Sequence, residues 1–347
     1  MTNLRYEKLN ELLKHWKQEN SQDLNLIKGF YYSCCLDKND LVDRTEDLKL
    51  NTDYSKLSTN QFMELFEASK FSSLDERQLK HLFQELHNRY MKDKGFEVTR
   101  NVAVVSDSSQ SAYGYVNSSD DLMFINKHAI DKAKTQDEKN NFNSSNIGYS
   151  LFYILSHESQ HVAQFEGTID FALNKKQDEE TAFISALMAI EKINMARDDS
   201  NGELTYLFNW KLNYDYQFIE HNANFSAFKR AQDMIPKEKQ QGKSFDQYNA
   251  FATMLALRES PSLIKDPQEF IENRIKKIED FTNFEIEYFT EKIKDCPMKT
   301  KLLETVNSYM KVDENGNSKF RSKLNNEISE MVDVSRTARK NLFEERK

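Results

Sequence analysis

The stretch Tyr153–Gly167, "YILSHESQHVAQFEG", carries two histidines four residues apart, with a glutamate directly after the first. Residues at i and i+4 of an α-helix lie one above the other on the same face. His157 and His161 would then present both imidazoles to one side, close enough to share a metal ion. Glu158 is displaced around the helix from His157. From there its carboxylate reaches a metal-bound water without itself being a ligand.

A five-residue match needs support from its surroundings. With 7 histidines in 347 residues, H-E-x-x-H arises by chance in about one such chain per hundred. The flanks supply that support. "IGYSLFYILS" before the motif and "VAQF" after it are apolar nearly all round, the pattern of a helix buried on most sides. Two imidazoles and a carboxylate are costly in such a helix unless they have partners, and a metal ion provides them. The motif helix is expected to run from about Ile147 to Phe165, with Gly167 as its stop.

Upstream, residues 4–93 read as helical. Leu9, Leu12, Leu13 and Trp16 form one apolar stripe, and a second helix is expected around Leu24–Cys35. "TNQFMELFEASKF" is a third. "SLDERQLKHLFQELHNRYMKDKG" is a fourth, with Ser73 and Glu76 as a capping box and Gly95 as the stop. His81 and His87 on that helix read as surface or half-buried residues. After Gly95 the pattern changes. Val102–Val105 reads as a strand, and "SAYGYVN" and "LMFIN" read as an antiparallel pair around a polar turn at 117–121.

Downstream, helices are expected from about Glu179 to Ala196 and, unbroken, from about Leu204 to Met234. "IPKEKQQGKSFDQ" is the linker candidate. Ile271, Ile275 and Ile278 begin a long amphipathic helix that Phe281, Phe284 and Phe289 continue. A turn at 313–318 precedes a last charged helix. No repeat of fixed period occurs. Only 8 Gly and 4 Pro over the whole chain fit long helices and few tight turns.

The composition bounds the function. A chain with 38% hydrophobic and 12% aromatic residues can fill a core. A net charge of −8 without a basic run argues against nucleic acid as a partner. No run of about 18 apolar residues occurs, so no membrane span is expected. The N-terminus lacks the apolar core of a signal peptide, which makes the cytoplasm the expected address, with signal-independent export left open. Cys34, Cys35 and Cys296 lack zinc-knuckle spacing and suggest a reducing compartment.

Strand, turn, strand and then an H-E-x-x-H helix together resemble the zincin metallopeptidases, the thermolysin-like superfamily, over about residues 96–235. "HESQHVAQ", with Gln164, is also similar to bacterial HExxHxxQ proteins of that superfamily. The resemblance implies that "SAYGYVN" is an edge strand binding extended substrate through its main chain, with "LMFIN" beside it. It implies a mainly α fold with a small antiparallel β-sheet (α+β). A zincin-like catalytic core, 95–235, would be flanked by helical segments at 1–94 and 236–347. It further implies Zn2+ as cofactor, His157 and His161 as ligands, Glu158 as general base, and a peptide or protein substrate.

The third ligand is left open. Gln164 and Gly167 exclude the metzincin continuation, so a glutamate on a later helix, the gluzincin arrangement, is next in line. Glu220 heads E-x-x-A-x-x-x-A, where Ala223 and Ala227 permit close packing against the motif helix. Four residues on, Asn224 stands where neprilysin-like enzymes carry an Asp that holds a histidine. Glu180 is the rival at thermolysin-like aminopeptidase spacing, with Glu179 and His221 as further candidates. Tyr113, Tyr115, His128, Tyr214 and Tyr216 are candidates for stabilising an oxyanion. Two other functions fit the same residues: a binding scaffold on a zincin-like fold, and a zinc hydrolase of a non-peptide amide.

Overall fold

The structure, a computed structural model, describes Glu11, Lys14 and residues 54–67, 70–71, 73–96, 101–109, 114–116, 122–131, 147–234 and 266–344. The helices expected before residue 54, Cys34, Cys35, Tyr113, the 117–121 turn and the 235–247 linker candidate lie outside the described residues. The longer elements of the described residues are nine α-helices and three strands. They are α1 (Thr59–Glu64), α2 (Glu76–Asp93), β1 (Asn101–Val105), β2 (Gly114–Val116), β3 (Leu122–Asn126), α3 (Ile147–Ala172), α4 (Glu179–Asn201), α5 (Thr205–Leu212), α6 (Phe218–Met234), α7 (Pro267–Lys292), α8 (Pro297–Met310) and α9 (Lys319–Glu344).

α3, which carries the H-E-x-x-H motif, is the central element. Leu151, Phe152, Leu155, Val162 and Ile169 are all buried. Each such side chain contributes about 1.5–3 kcal/mol relative to an exposed one. α2, α4, α6 and β2 pack around it. The helix does not stop at Gly167. It continues to Ala172, because Gly167 serves a close approach: a Cβ there would lie 2.8 Å from Ser185 Oγ of α4. The glycine lets two helices touch, and the polar loop beyond Ala172 ends α3 instead.

The sheet differs from expectation. Its order is β1-β3-β2, with β2 and β3 antiparallel but β1 and β3 parallel. The sheet is therefore mixed rather than antiparallel. The chain leaves β1, passes to the far side of β3's position to lay down β2, and returns to insert β3 between them. Val102, Met123 and Ile125 bury one face. This order leaves β2 at the sheet edge beside α3.

Two helix ends also move. α2 is capped by Asp75 and Gln78 rather than by Ser73 and Glu76. A carboxylate and a long amide at this spacing satisfy two orphan backbone N–H groups reciprocally. The helix expected over 204–234 is broken: α5 ends at Leu212, a 3₁₀ turn occupies Tyr214–Tyr216, and α6 starts at Phe218. At the break, the Asn213 and Gln217 side chains donate to the carbonyls of Asn209 and Trp210. Side-chain amides that cap nearby carbonyls compete with helix continuation.

The C-terminal helices close over α4. The stripe Phe270, Ile271, Ile275, Ile278, Phe281, Phe289 of α7 is buried. Phe183 of α4 stacks on Tyr309 of α8 with ring centroids 4.3 Å apart. One continuous apolar core draws side chains from Tyr54 to Val332. No helix among the described residues is long and apolar enough to cross a membrane.

Candidate metal centre

Each residue of the five-residue motif has a distinct contact. His157 Nε2 and His161 Nε2 face one another at 3.0 Å, their rings nearly perpendicular at 88°. Glu158 turns to the sheet, where its carboxylate accepts the Val116 N–H of edge strand β2 at 3.0 Å. The Ser159 hydroxyl meets Nδ1 of His87, 2.9 Å away. Gln160 accepts from the Tyr90 hydroxyl and donates to Asn222. His87, expected at or near the surface, is fully buried. Its partner Ser159 lies inside the motif, which explains why α2 packs so closely on α3.

The break between α5 and α6 starts α6 so that its first turn faces α3. Glu220 lies there, in line with the two histidines. Its Oε2 is 3.4 Å from His157 Nε2, and its Oε1 is 3.4 Å from His161 Nε2. Ala223 and Ala227 are fully buried in the spacing expected for close packing on α3. His157, His161 and Glu220 form a group that could hold a metal ion. Glu180 does not join it: its carboxylate pairs with Lys323 at 2.6 Å on the surface. Glu179 pairs with Lys319, and His221 turns away to Glu327 at 3.0 Å.

Gln164 fixes the tautomer of His161. Its Nε2 donates to the Ile219 carbonyl at 3.1 Å and to Asn222 Oδ1 at 2.9 Å. A carbonyl only accepts, so the amide nitrogen must face Ile219 and the amide oxygen must face His161 Nδ1, 2.9 Å away. Nδ1 then carries the proton and Nε2 presents its lone pair. Asn224 does not have the role expected of it. Its side-chain oxygen accepts from the Tyr153 hydroxyl instead. His157 Nδ1 is buried without a hydrogen-bond partner among the described residues.

Of the oxyanion candidates among the described residues, Tyr214 is the one that senses Glu220. The Tyr214 hydroxyl lies within the field of Glu220: burial first, then the Glu220 charge, push it far above the ordinary phenol range. The residue as a whole is 44% exposed. Tyr216 instead accepts from Lys277, and His128 is exposed. The side chains of Tyr113 and Tyr115 lie outside the described residues. Nothing in the sequence marks Tyr214 except the Asn213 and Gln217 amides around it, which signal the helix break.

The electrostatics describe a site short of positive charge. Burial raises the Glu158 carboxyl above its ordinary value, with the two histidines opposing and Glu220 reinforcing that shift. Burial alone would lower His161, but the Glu220 carboxylate more than offsets it and carries it up to about 9. Glu220 itself resists the effect of burial and is held well below its ordinary value, chiefly by His161 and His157. Its Oε2 has no hydrogen-bond partner among the described residues. Two imidazole lone pairs and a carboxylate converging in a buried place attract either a proton or a metal cation.

No family model, curated protein or solved structure matches the chain. The functional reading therefore rests on the geometry of this site.

Proposed function

We propose that this chain is a zinc-dependent metallopeptidase, with zinc held by His157, His161 and Glu220. The observation that carries the reading is the convergence of donor atoms: the two imidazole Nε2 atoms lie 3.0 Å apart, and each lies 3.4 Å from one oxygen of the Glu220 carboxylate. A tetrahedron with ligands at about 2.0–2.1 Å from its centre has edges of about 3.4 Å. Three protein ligands of this kind leave the fourth position open, the arrangement of a catalytic zinc. A zinc ion there acidifies water and polarises a carbonyl.

The chain's own groups complete the chemistry. Glu158, adjoining the ligands without being one, takes a proton from the attacking water and passes it to the leaving amine. Tyr214 donates a hydrogen bond to the oxyanion that develops on the scissile carbonyl. Edge strand β2, anchored to Glu158 through the Val116 N–H, offers main-chain groups to an extended peptide. Gln164 keeps His161 in the tautomer that ligates.

Incubation with a mixed-sequence peptide library, read by mass spectrometry, tests the reading. Wild-type protein is expected to cut peptide bonds. Glu158→Gln is expected to lose about 10²–10⁴-fold in rate while keeping its metal. Cleavage at the same rate by Glu158→Gln contradicts the assignment, and a metal-loaded wild type that cuts nothing favours a binding scaffold.

A further inference from the structure

Behind the metal centre, α3 presents Gln160, Ala163 and Gln164 to a cavity of about 570 Å³. Pockets for small molecules span about 300–1,000 Å³. Phe96, Ile184, Phe225 and Met234 give it an apolar wall. Against that wall lie two cations whose charge is not fully met.

The first is Arg230. Its Nη1 pairs with Asp93 at 2.7 Å, and its side chain is only 11% exposed. Its Nε and Nη2 are buried and have no hydrogen-bond partner among the described residues. Those two N–H groups lie on the same edge of the guanidinium and point in parallel, the geometry that matches two oxygens of one carboxylate or phosphate. Buried charged donors left without an acceptor are costly.

The second is Lys94. Its amine lies 5.6 Å from the centroid of the Tyr90 ring, and the Arg230 guanidinium lies 4.8 Å from the same centroid. The Lys94 side chain makes no hydrogen bond or ion pair with any described residue. Lys94 is exposed as a residue, yet partial desolvation first, and then the charges of Arg230 and Lys323, lower its amine against the opposing pull of Glu180 and Asp93.

The other cations around the cavity are committed. Lys323 is tied to Glu180 and Glu327, and Lys229 to Glu330. The Asp93 carboxylate is engaged by Arg230 Nη1, and Asp233 is exposed. What is left is the unfilled fork of Arg230 and, at the exposed edge of the cavity, the unpaired amine of Lys94.

We propose that this cavity binds a small organic oxyanion, a carboxylate or a phosphate on an apolar body, gripped by the free edge of Arg230 and by Lys94. The apolar wall takes the body of the ligand. An anion between the two cations offsets their repulsion across the Tyr90 ring. The site is separate from the metal centre, and the proposal does not depend on the peptidase reading.

Calorimetric titration of the zinc-loaded full chain with inorganic phosphate, and separately with hexanoate, tests it. At least one probe is expected to bind saturably at one per chain. The probe that binds tells a phosphate ligand from a carboxylate. Lys94→Gln and Arg230→Gln are each expected to weaken binding about tenfold or more. No saturable binding of either probe overturns the proposal. So does equal affinity in Lys94→Gln and wild type, the result expected of anions that bind the zinc ion instead. If Arg230→Gln fails to fold, Lys94→Gln decides alone, because Lys94 is exposed and tied to no partner.

Discussion

Replacing Gln164 by Met keeps the volume and shape of the side chain but removes three hydrogen bonds. One holds His161 Nδ1 at 2.9 Å; the others reach the Ile219 carbonyl and Asn222. Losing the partner of a ligating imidazole weakens metal binding by about 10–100-fold, which corresponds to about 1.4–2.8 kcal/mol. A separate cost falls on folding. Unmet buried acceptors cost about 1–3 kcal/mol each, but Asn222 keeps its bond from Gln160, so the loss belongs at the lower end. Competition with a chromophoric zinc chelator measures the first quantity and urea unfolding the second. Gln164→Glu separates them: it retains an acceptor for His161 Nδ1 and removes both donated bonds. It should keep zinc affinity near that of wild type while losing stability. Zinc affinity within twofold of wild type in a folded Gln164→Met protein would refute the orienting role.

Three further outcomes follow from the same coordinates. Gly148→Ala places a Cβ 2.1 Å from the Phe66 carbonyl oxygen. Backbone must move by about 1 Å to clear it, so stability should fall by about 1–3 kcal/mol or more; an unchanged melting temperature contradicts the packing described. Tyr214→Phe should lower kcat of the proposed hydrolysis by about 10²–10³-fold with zinc content intact, and equal kcat removes Tyr214 from the mechanism. Burial, reinforced by Glu191, holds the Glu285 carboxyl well above its ordinary 4.5. The folded chain then keeps a proton that the unfolded chain releases above pH 4.5, so stability falls as pH rises from there toward the raised value. Glu285→Gln should flatten that part of the pH–stability curve and leave the protein more stable than wild type at neutral pH; a mutant curve parallel to wild type would contradict this.

The helices that carry the site were legible because their patterns are local. The all-round apolar flanks of the motif announced a buried helix, and α3 is the central one. The small alanines after Glu220 announced close packing, and α6 lies on α3. The sheet was less legible, because the parallel pairing of β1 with β3 depends on where the chain travels between them, and no short pattern records that. Gly167 read as a stop because a glycine needed for contact between helices looks the same in sequence as one needed for a turn. His87 shows a similar limit: nothing local distinguishes a histidine on a half-exposed helix from one pressed on Ser159. The break at 213–217 was hidden in a stretch with good helical character. It matters most for function, since it brings Glu220 to the histidines and Tyr214 near Glu220.

The central claim is that His157, His161 and Glu220 hold one zinc ion. Metal content by mass spectrometry, on protein dialysed against trace zinc, measures it directly in wild type, His161→Ala, Glu220→Gln and Glu180→Gln. One zinc per chain is expected in wild type and Glu180→Gln, and little or none in the other two. Zinc retained by Glu220→Gln and lost from Glu180→Gln, or no zinc in any of the four, would contradict it.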